Sequence, residues 1–353
     1  MAPATDRFAA HWVGMALAVG LFWPAPGVQA ADDSSPARCI EAAQCATLVD
    51  VADGALLPVY ASAPLTVGDP RIGRALIVVH GTTRDGDRYF ATALAAAARA
   101  GVNDTTLVLA PVFSIKRDRK SRHPKELYWP NNIGWKEGGP SIDIDSMQVG
   151  SFAAIDALIR RIGDKALFPN LASIVVAGHS AGGQLIQRYA AGQPPEAIPS
   201  PIALRYVVAN PSSYLYFDKD RPTADGFGVP KPSTACGYNR YRYGLEDRNA
   251  YMARADDATL KARYRDRDVI YLLGERDTDP NHSSLDKSCA AMLQGVNRLE
   301  RGKAFAAYMD RSMAPHRHRL ATVPGAGHDR TLMFTSPEGL DALFGQESEE
   351  TGP

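Results

Sequence analysis

The run Ile174-Val175-Val176-Ala177-Gly178-His179-Ser180-Ala181-Gly182-Gly183-Gln184 carries an apolar strand straight into a helix through a Gly-x-Ser-x-Gly turn. A turn this sharp brings neighbouring backbones too close for side chains, so small residues must flank the serine, whose oxygen is lifted above the edge of a sheet. The chain is thereby committed to a sheet in which at least one strand feeds directly into a helix, and Ser180 becomes a candidate nucleophile. A five-residue pattern gains weight only from its context, and the rest of the chain supplies that context.

Short apolar runs of strand length, mostly β-branched, recur at 75–79, 106–110, 174–177, 206–209, 269–273 and 320–323, as expected of parallel strands buried on both faces. Helical stretches separate several of them. Residues 89–100 are alanine-rich and stop at Gly101, suited to a left-handed cap; 152–162 are amphipathic, with Ser151 placed to cap them; 182–191 follow the serine. Ahead of these, 47–51 and 56–60 flank Asp53-Gly54, a hairpin signal. The alternation predicts an α/β fold with a mostly parallel central sheet, helices on both faces and an antiparallel pair at its start. After the strand ending near Ala209 the rhythm breaks down. Residues 211–266 show no clear strand and hold seven of the fourteen tyrosines, which reads as an insertion lying over the sheet edge. No internal repeat is visible, and 31–353 reads as a single domain.

A serine that transfers acyl groups needs a base to take its proton, a carboxylate to orient that base, and N–H donors for the oxyanion, each at the end of a strand. The strand at 269–273 runs into Gly274-Glu275-Arg276-Asp277, and the one at 320–323 runs into Pro324-Gly325-Ala326-Gly327-His328. The chain order is therefore Ser180, Asp277, His328, the order used by α/β-hydrolases. From about residue 74 to 344 the chain resembles the α/β-hydrolase superfamily, and most of all its secreted esterase-type members that carry Gly-His-Ser-Ala-Gly-Gly. The resemblance implies Ser180 as nucleophile, His328 as general base and acid, and Asp277 as the orienting carboxylate, with Asp279 as the alternative acid. It also implies that the insertion after Pro211 is a cap shaping the substrate pocket.

The oxyanion donors expected are the backbone N–H groups of Ala181, next to the nucleophile, and of Thr82, in the loop after Val79-His80-Gly81. The run His80-Gly81-Thr82-Thr83 departs from the His-Gly-Gly-Gly of one esterase branch and has a single glycine there. His80 is expected to pack or hydrogen-bond beneath this loop. Trp129 and Trp135 sit in a segment that should pass over the catalytic edge, and with Tyr214 of the insertion they are candidate pocket residues; packing in a small loop core is the competing reading.

Arg7, the apolar stretch 12–23 and the small-residue site Val28-Gln29-Ala30 read as a cleavable signal peptide over 1–30. Pro24 and Pro26 end that stretch short of the roughly 20 residues needed to cross a bilayer, so a secreted or periplasmic chain without an integral membrane segment is expected. In an oxidising compartment four cysteines read as two disulfides. Cys39 with Cys45, neighbours near the mature N-terminus, leaves Cys236 with Cys289.

The 39 Lys+Arg balance 39 Asp+Glu, which excludes wholesale attraction to nucleic acid, and the basic stretch 116–125 reads as a solvated loop. His316 and His318 lack partners at a recognisable ligand spacing, so no metal and no cofactor are expected. Asp329 reads as a helix cap, and 346–353 as an acidic, disordered tail. The partner expected is a small-molecule or polymeric ester, with a serine peptidase, an acyltransferase or a non-catalytic binding protein of the same fold as the competing readings.

Overall fold

The computed structural model describes residues 36–118, 123–199, 201–231 and 236–345. The expected signal peptide, the expected tail and residues 119–122 of the basic stretch lie outside the described residues. Strands β1 (Ala46–Ala52) and β2 (Ala55–Ala61) form the antiparallel hairpin. Asp53 and Gly54 turn it with φ of 41° and 89°, the positive values a tight hairpin turn demands.

The chain continues through β3 (Arg74–Val79), α1 (Gly86–Arg99), β4 (Thr106–Pro111), α2 (Ser151–Ile162), β5 (Ser173–His179), α3 (Ala181–Gly192) and β6 (Ala203–Ala209). A two-stranded ribbon, β7 (Arg221–Thr223) and β8 (Gly226–Gly228), and α4 (Asp257–Arg265) precede β9 (Asp268–Gly274). Then come α5 (Cys289–Met292), α6 (Arg298–Ser312), β10 (His318–Val323), α7 (Arg330–Thr335) and α8 (Pro337–Phe344).

Eight strands form one sheet in the order β1-β2-β4-β3-β5-β6-β9-β10. All neighbours from β4 to β10 are parallel, and β2 is antiparallel to both β1 and β4. In the interior strands the apolar runs are continuous because both faces are covered, whereas β10, expected to be buried on both faces, lies at the sheet edge with Leu320 exposed. Ile77 and Val79 of β3 point into a core shared with α2, α3 and α6, whereas Leu76 and Val78 point into one shared with α1, α7 and α8. That is the two-residue alternation of a strand buried on both sides.

Two local expectations are corrected. Ser151 does not cap α2: the N-cap is Gly150, and the Ser151 hydroxyl donates to the Trp135 carbonyl at 2.7 Å. Residues 211–266, where no clear strand was expected, contain the β7–β8 ribbon, and they also hold α4. Their aromatic residues pack inward. Tyr216 and Phe217 meet Tyr308 and Tyr264, and the Tyr251 hydroxyl donates to Asp156 of α2 at 2.8 Å. Cys39 pairs with Cys45 and Cys236 with Cys289, which fits an oxidising, extracytoplasmic location. No helix among the described residues is long and apolar enough to cross a membrane.

Candidate active site

Four strand ends build the site. β3 and β5 are neighbours, with Val79 opposite Gly178, and β5 pairs on its other side with β6, with His179 opposite Ala209. Ser180 therefore leaves the middle of the sheet, and its N–H donates to the Ala209 carbonyl at 2.9 Å. Its backbone lies at φ 60°, ψ −116°, a strained conformation for a residue with a side chain, costing on the order of 1–3 kcal/mol.

The flanking glycines are required by contact. A Cβ on Gly182 would stand 2.3 Å from the Val79 carbonyl oxygen, and one on Gly178 would stand 2.4 Å from the Gly182 carbonyl. Both obstacles are backbone. Gly182→Ala is expected to lower stability by at least about 1–3 kcal/mol, read as a lower Tm, whereas an unchanged Tm would show that this turn has slack.

Asp277 and His328 come from the last two strands of the sheet. Asn210, fully buried after β6, accepts from the Gly274 N–H at 2.8 Å and donates to the Gly327 carbonyl at 3.4 Å. The Arg276 N–H donates to the Ala326 carbonyl at 2.7 Å. The ends of β9 and β10 are thus pinned together, and the turns that follow carry Asp277 and His328 to Ser180. His328 Nε2 lies 2.9 Å from Ser180 Oγ, and His328 Nδ1 lies 2.7 Å from Asp277 Oδ2. Asp277 is buried at 3 % exposure, while the alternative acid, Asp279, is exposed and accepts from the Asn281 N–H.

A buried carboxylate needs compensation. Asp277 receives it from Arg298, a fully buried residue whose Nη1 donates to Oδ1 at 3.3 Å. Sequence reasoning missed Arg298, as it missed Asn210.

The loop after β3 is held from below. His80, fully buried, donates from Nδ1 to the Gly81 carbonyl at 2.8 Å and accepts at Nε2 from the Phe113 N–H at 2.9 Å. Burial pushes its pKa down to about 4, so it is neutral and serves as a strut. Arg84, itself at φ 60°, donates to the Thr82 carbonyl and pairs with Asp118, and this ties down the loop that offers Thr82.

A cleft of about 280 Å³ opens at Ser180, lined by Thr82, Tyr89, His179, Ser284, His328 and Arg330 among others. A cavity of similar size, about 270 Å³, lies at the opposite ends of β3, β5 and β6, around Arg74, Ser173 and Ala203. It holds none of these groups, so the chemistry selects the first.

Two histidines flank His328. The His179 ring lies 4.6 Å and the His282 ring 5.0 Å from that of His328, centroid to centroid. Burial, reinforced by the neighbouring His328 and Arg298, holds both below the usual histidine range. Arg330 reaches the cleft beside Asp85, at 3.6 Å. Asp329 caps α7 by accepting from the Thr331 and Leu332 N–H groups.

The three candidate pocket residues lie elsewhere. Trp129, Trp135 and Tyr214 are each fully buried, and none lines the cleft. Trp135 stacks on Phe113 and sets its edge against His80, and Trp129 meets Phe113 edge-on while donating to the Gly139 carbonyl. Both tryptophans belong to the core that the sheet shares with α2 and α3. Tyr214 stacks on Phe305 of α6 at 4.6 Å. No described residue of 211–266 lines the cleft either, because the insertion spends its aromatic residues on the α2, α3 and α6 side.

Comparison with known proteins agrees with this architecture. A family model described as the alpha/beta hydrolase family matches residues 76–343. Among solved structures, the chain is similar to poly(aspartic acid) hydrolase-1 from Sphingomonas sp. KT-1, with 26% identity and a TM-score of 0.60 over 86% of this chain and 98% of that one. It is also similar to LpqC, a poly(3-hydroxybutyrate) depolymerase from Bordetella parapertussis, with 22% identity and a TM-score of 0.57 over 84% and 89% of the two chains. No curated protein matches the chain. With Ser180, Asp277 and His328 brought together at the carboxyl ends of three strands of this sheet, and with the family model spanning all three, the chain belongs to the alpha/beta hydrolase family.

Proposed function

We propose that this chain is an exported serine hydrolase that cleaves carboxylic esters through an acyl-enzyme on Ser180. The observation that carries the reading is the continuous relay from Ser180 Oγ to His328 Nε2 at 2.9 Å and from His328 Nδ1 to Asp277 Oδ2 at 2.7 Å. His328 takes the hydroxyl proton as Ser180 attacks the carbonyl, and the imidazolium that forms is stabilised by Asp277. The tetrahedral oxyanion is received by the backbone N–H groups of Ala181 and Thr82. His328 then returns the proton to the departing alcohol, and water repeats the cycle on the acyl-enzyme. The cycle needs neither metal nor cofactor. Export rests on the apolar N-terminal stretch and on the two disulfides.

Amide cleavage is the second reading, favoured by the similarity to a poly(aspartic acid) hydrolase and by the presence of Arg330 on the cleft. The same relay serves both bonds, so only turnover separates them. We expect release of p-nitrophenol from short p-nitrophenyl esters and no shortening of poly(aspartic acid) chains, with the Ser180→Ala variant run alongside. Shortening of the polymer without ester turnover would replace the first reading by the second.

A further inference from the structure

Arg298, the first residue of α6, is the one described cation in hydrogen-bond contact with Asp277. Its guanidinium is spoken for on every side. Besides the bond to Asp277 Oδ1, Nε donates to the Ser212 hydroxyl at 3.2 Å and Nη2 to the Ser284 hydroxyl at 3.1 Å, and Nη2 lies 3.5 Å from His282 Nδ1. Three segments of chain therefore converge on one side chain: the exit of β6 through Ser212, the turn after β9 through Asp277, and the cleft wall through Ser284. The fork of Arg fits such a site because it offers several donors in one plane. The Asp277 carboxylate sits between two donors, Arg298 on one oxygen and His328 on the other.

Resting on the serine-hydrolase reading above, we propose that Arg298 is a positioning residue whose charge sets where on the pH axis the Ser180–His328 pair works. Asp277 favours the imidazolium form of its partner, and unopposed in a buried setting it would keep His328 protonated, and so unable to act as base, to a higher pH. A guanidinium on the far oxygen of the same carboxylate opposes that pull while keeping Asp277 ionised and its Oδ2 aimed at Nδ1. The carboxylate thus still orients the imidazole while its pull on the imidazole proton is opposed.

The other groups facing His328 do not supply this opposition. His179, at the end of β5, and His282, on the cleft side, are held below the usual histidine range by burial and by neighbouring positive charge. Asp329 is occupied in capping α7. Arg330 stands at the cleft with Asp85 as its partner, and Asp279 is exposed to solvent.

The test is the pH dependence of kcat/KM for a p-nitrophenyl ester on the full chain between about pH 5 and 9, comparing wild type with Arg298→Gln and Arg298→Lys. Glutamine removes the charge and keeps hydrogen-bonding capacity; lysine keeps the charge and loses the fork. In Arg298→Gln the acid limb is expected to move up by about one pH unit, with the plateau at high pH within about tenfold of wild type. In Arg298→Lys the limb should stay within about 0.3 pH unit of wild type, whatever happens to the plateau.

An Arg298→Gln limb that stays in place over a lowered plateau would reduce Arg298 to a structural brace and overturn the proposal, as would equal displacement in both variants. If Arg298→Gln does not fold, the equally uncharged Arg298→Met takes its place: an acid limb moved up by about one pH unit supports the proposal, and a limb held in place overturns it. Failure of the underlying reading looks different, because turnover would then survive in Ser180→Ala regardless of the profile.

Discussion

Ser180→Ala is expected to abolish ester turnover, with kcat falling by about 10⁶-fold, while the melting temperature stays where it was. The two halves of that result come from different parts of the site. Loss of Oγ removes the hydroxyl that lies 2.9 Å from His328 Nε2, so no acyl-enzyme forms and only the binding and oxyanion contributions remain. Stability is spared because the strain at this position is in the backbone, at φ 60°, and alanine bears it as serine does. A side chain making no cap hydrogen bond to α3 is also no loss to that helix. Steady-state kinetics and a thermal melt on one preparation check both statements.

Asp277→Asn should be nearly as severe, with kcat lower by about 10⁴-fold, for a reason specific to this acid. Its two oxygens face two donors, His328 Nδ1–H and the Arg298 guanidinium. An amide has a single acceptor. If that oxygen stays with Arg298, whose charge favours it, the amide nitrogen turns to His328 and selects the tautomer with its proton on Nε2, which cannot accept the proton of Ser180. The measurement is kcat against pH for the variant. Retention of activity within tenfold of wild type would mean that Asp277 neither orients the base nor stabilises its charged form.

The sheet, and the strand ends that bring Ser180, Asp277 and His328 together, were legible in the sequence for related reasons. Strands such as 75–79 and 174–177 are buried on both faces, so their apolar runs are continuous. Ser180 and Asp277 follow strands at turns whose glycines are forced by contact, as Gly182 is by the Val79 carbonyl and Gly274 by the Ala326 carbonyl, while Gly325, in the turn before His328, takes a φ of 69°. The hairpin announced itself through Asp53-Gly54, whose positive φ angles few other pairs tolerate.

What the sequence concealed was whatever depends on contacts between distant segments. α6 reads as polar, Arg298-Leu299-Glu300-Arg301, because two of its arginines are fully buried and serve as hubs for carbonyls and hydroxyls from other loops. Its start did carry a signal: Asn297 accepts from the Glu300 N–H and donates to the Glu300 carboxylate, and the carboxylate also accepts from the Val296 N–H. That is a capping box in local sequence. Asn210 carried none, since its role is to bridge the ends of β9 and β10.

The aromatic residues misled in the opposite direction. Trp129, Trp135 and Tyr214 have the composition of a pocket and the position of a core, and periodicity cannot tell these apart in a long irregular segment. The core reading carries its own consequence: Trp135, through His80, supports the loop that presents Thr82, so these residues bear on the site from beneath it.

Covalent capture tests the account most directly. The protein is mixed with a p-nitrophenyl ester, quenched in acid within the first turnover and examined by peptide mass spectrometry, beside a sample treated with a fluorophosphonate. We expect one acyl or phosphonyl adduct, on the peptide containing Ser180 and on its hydroxyl. Turnover with no adduct at Ser180, or an adduct on any other side chain, would contradict the account.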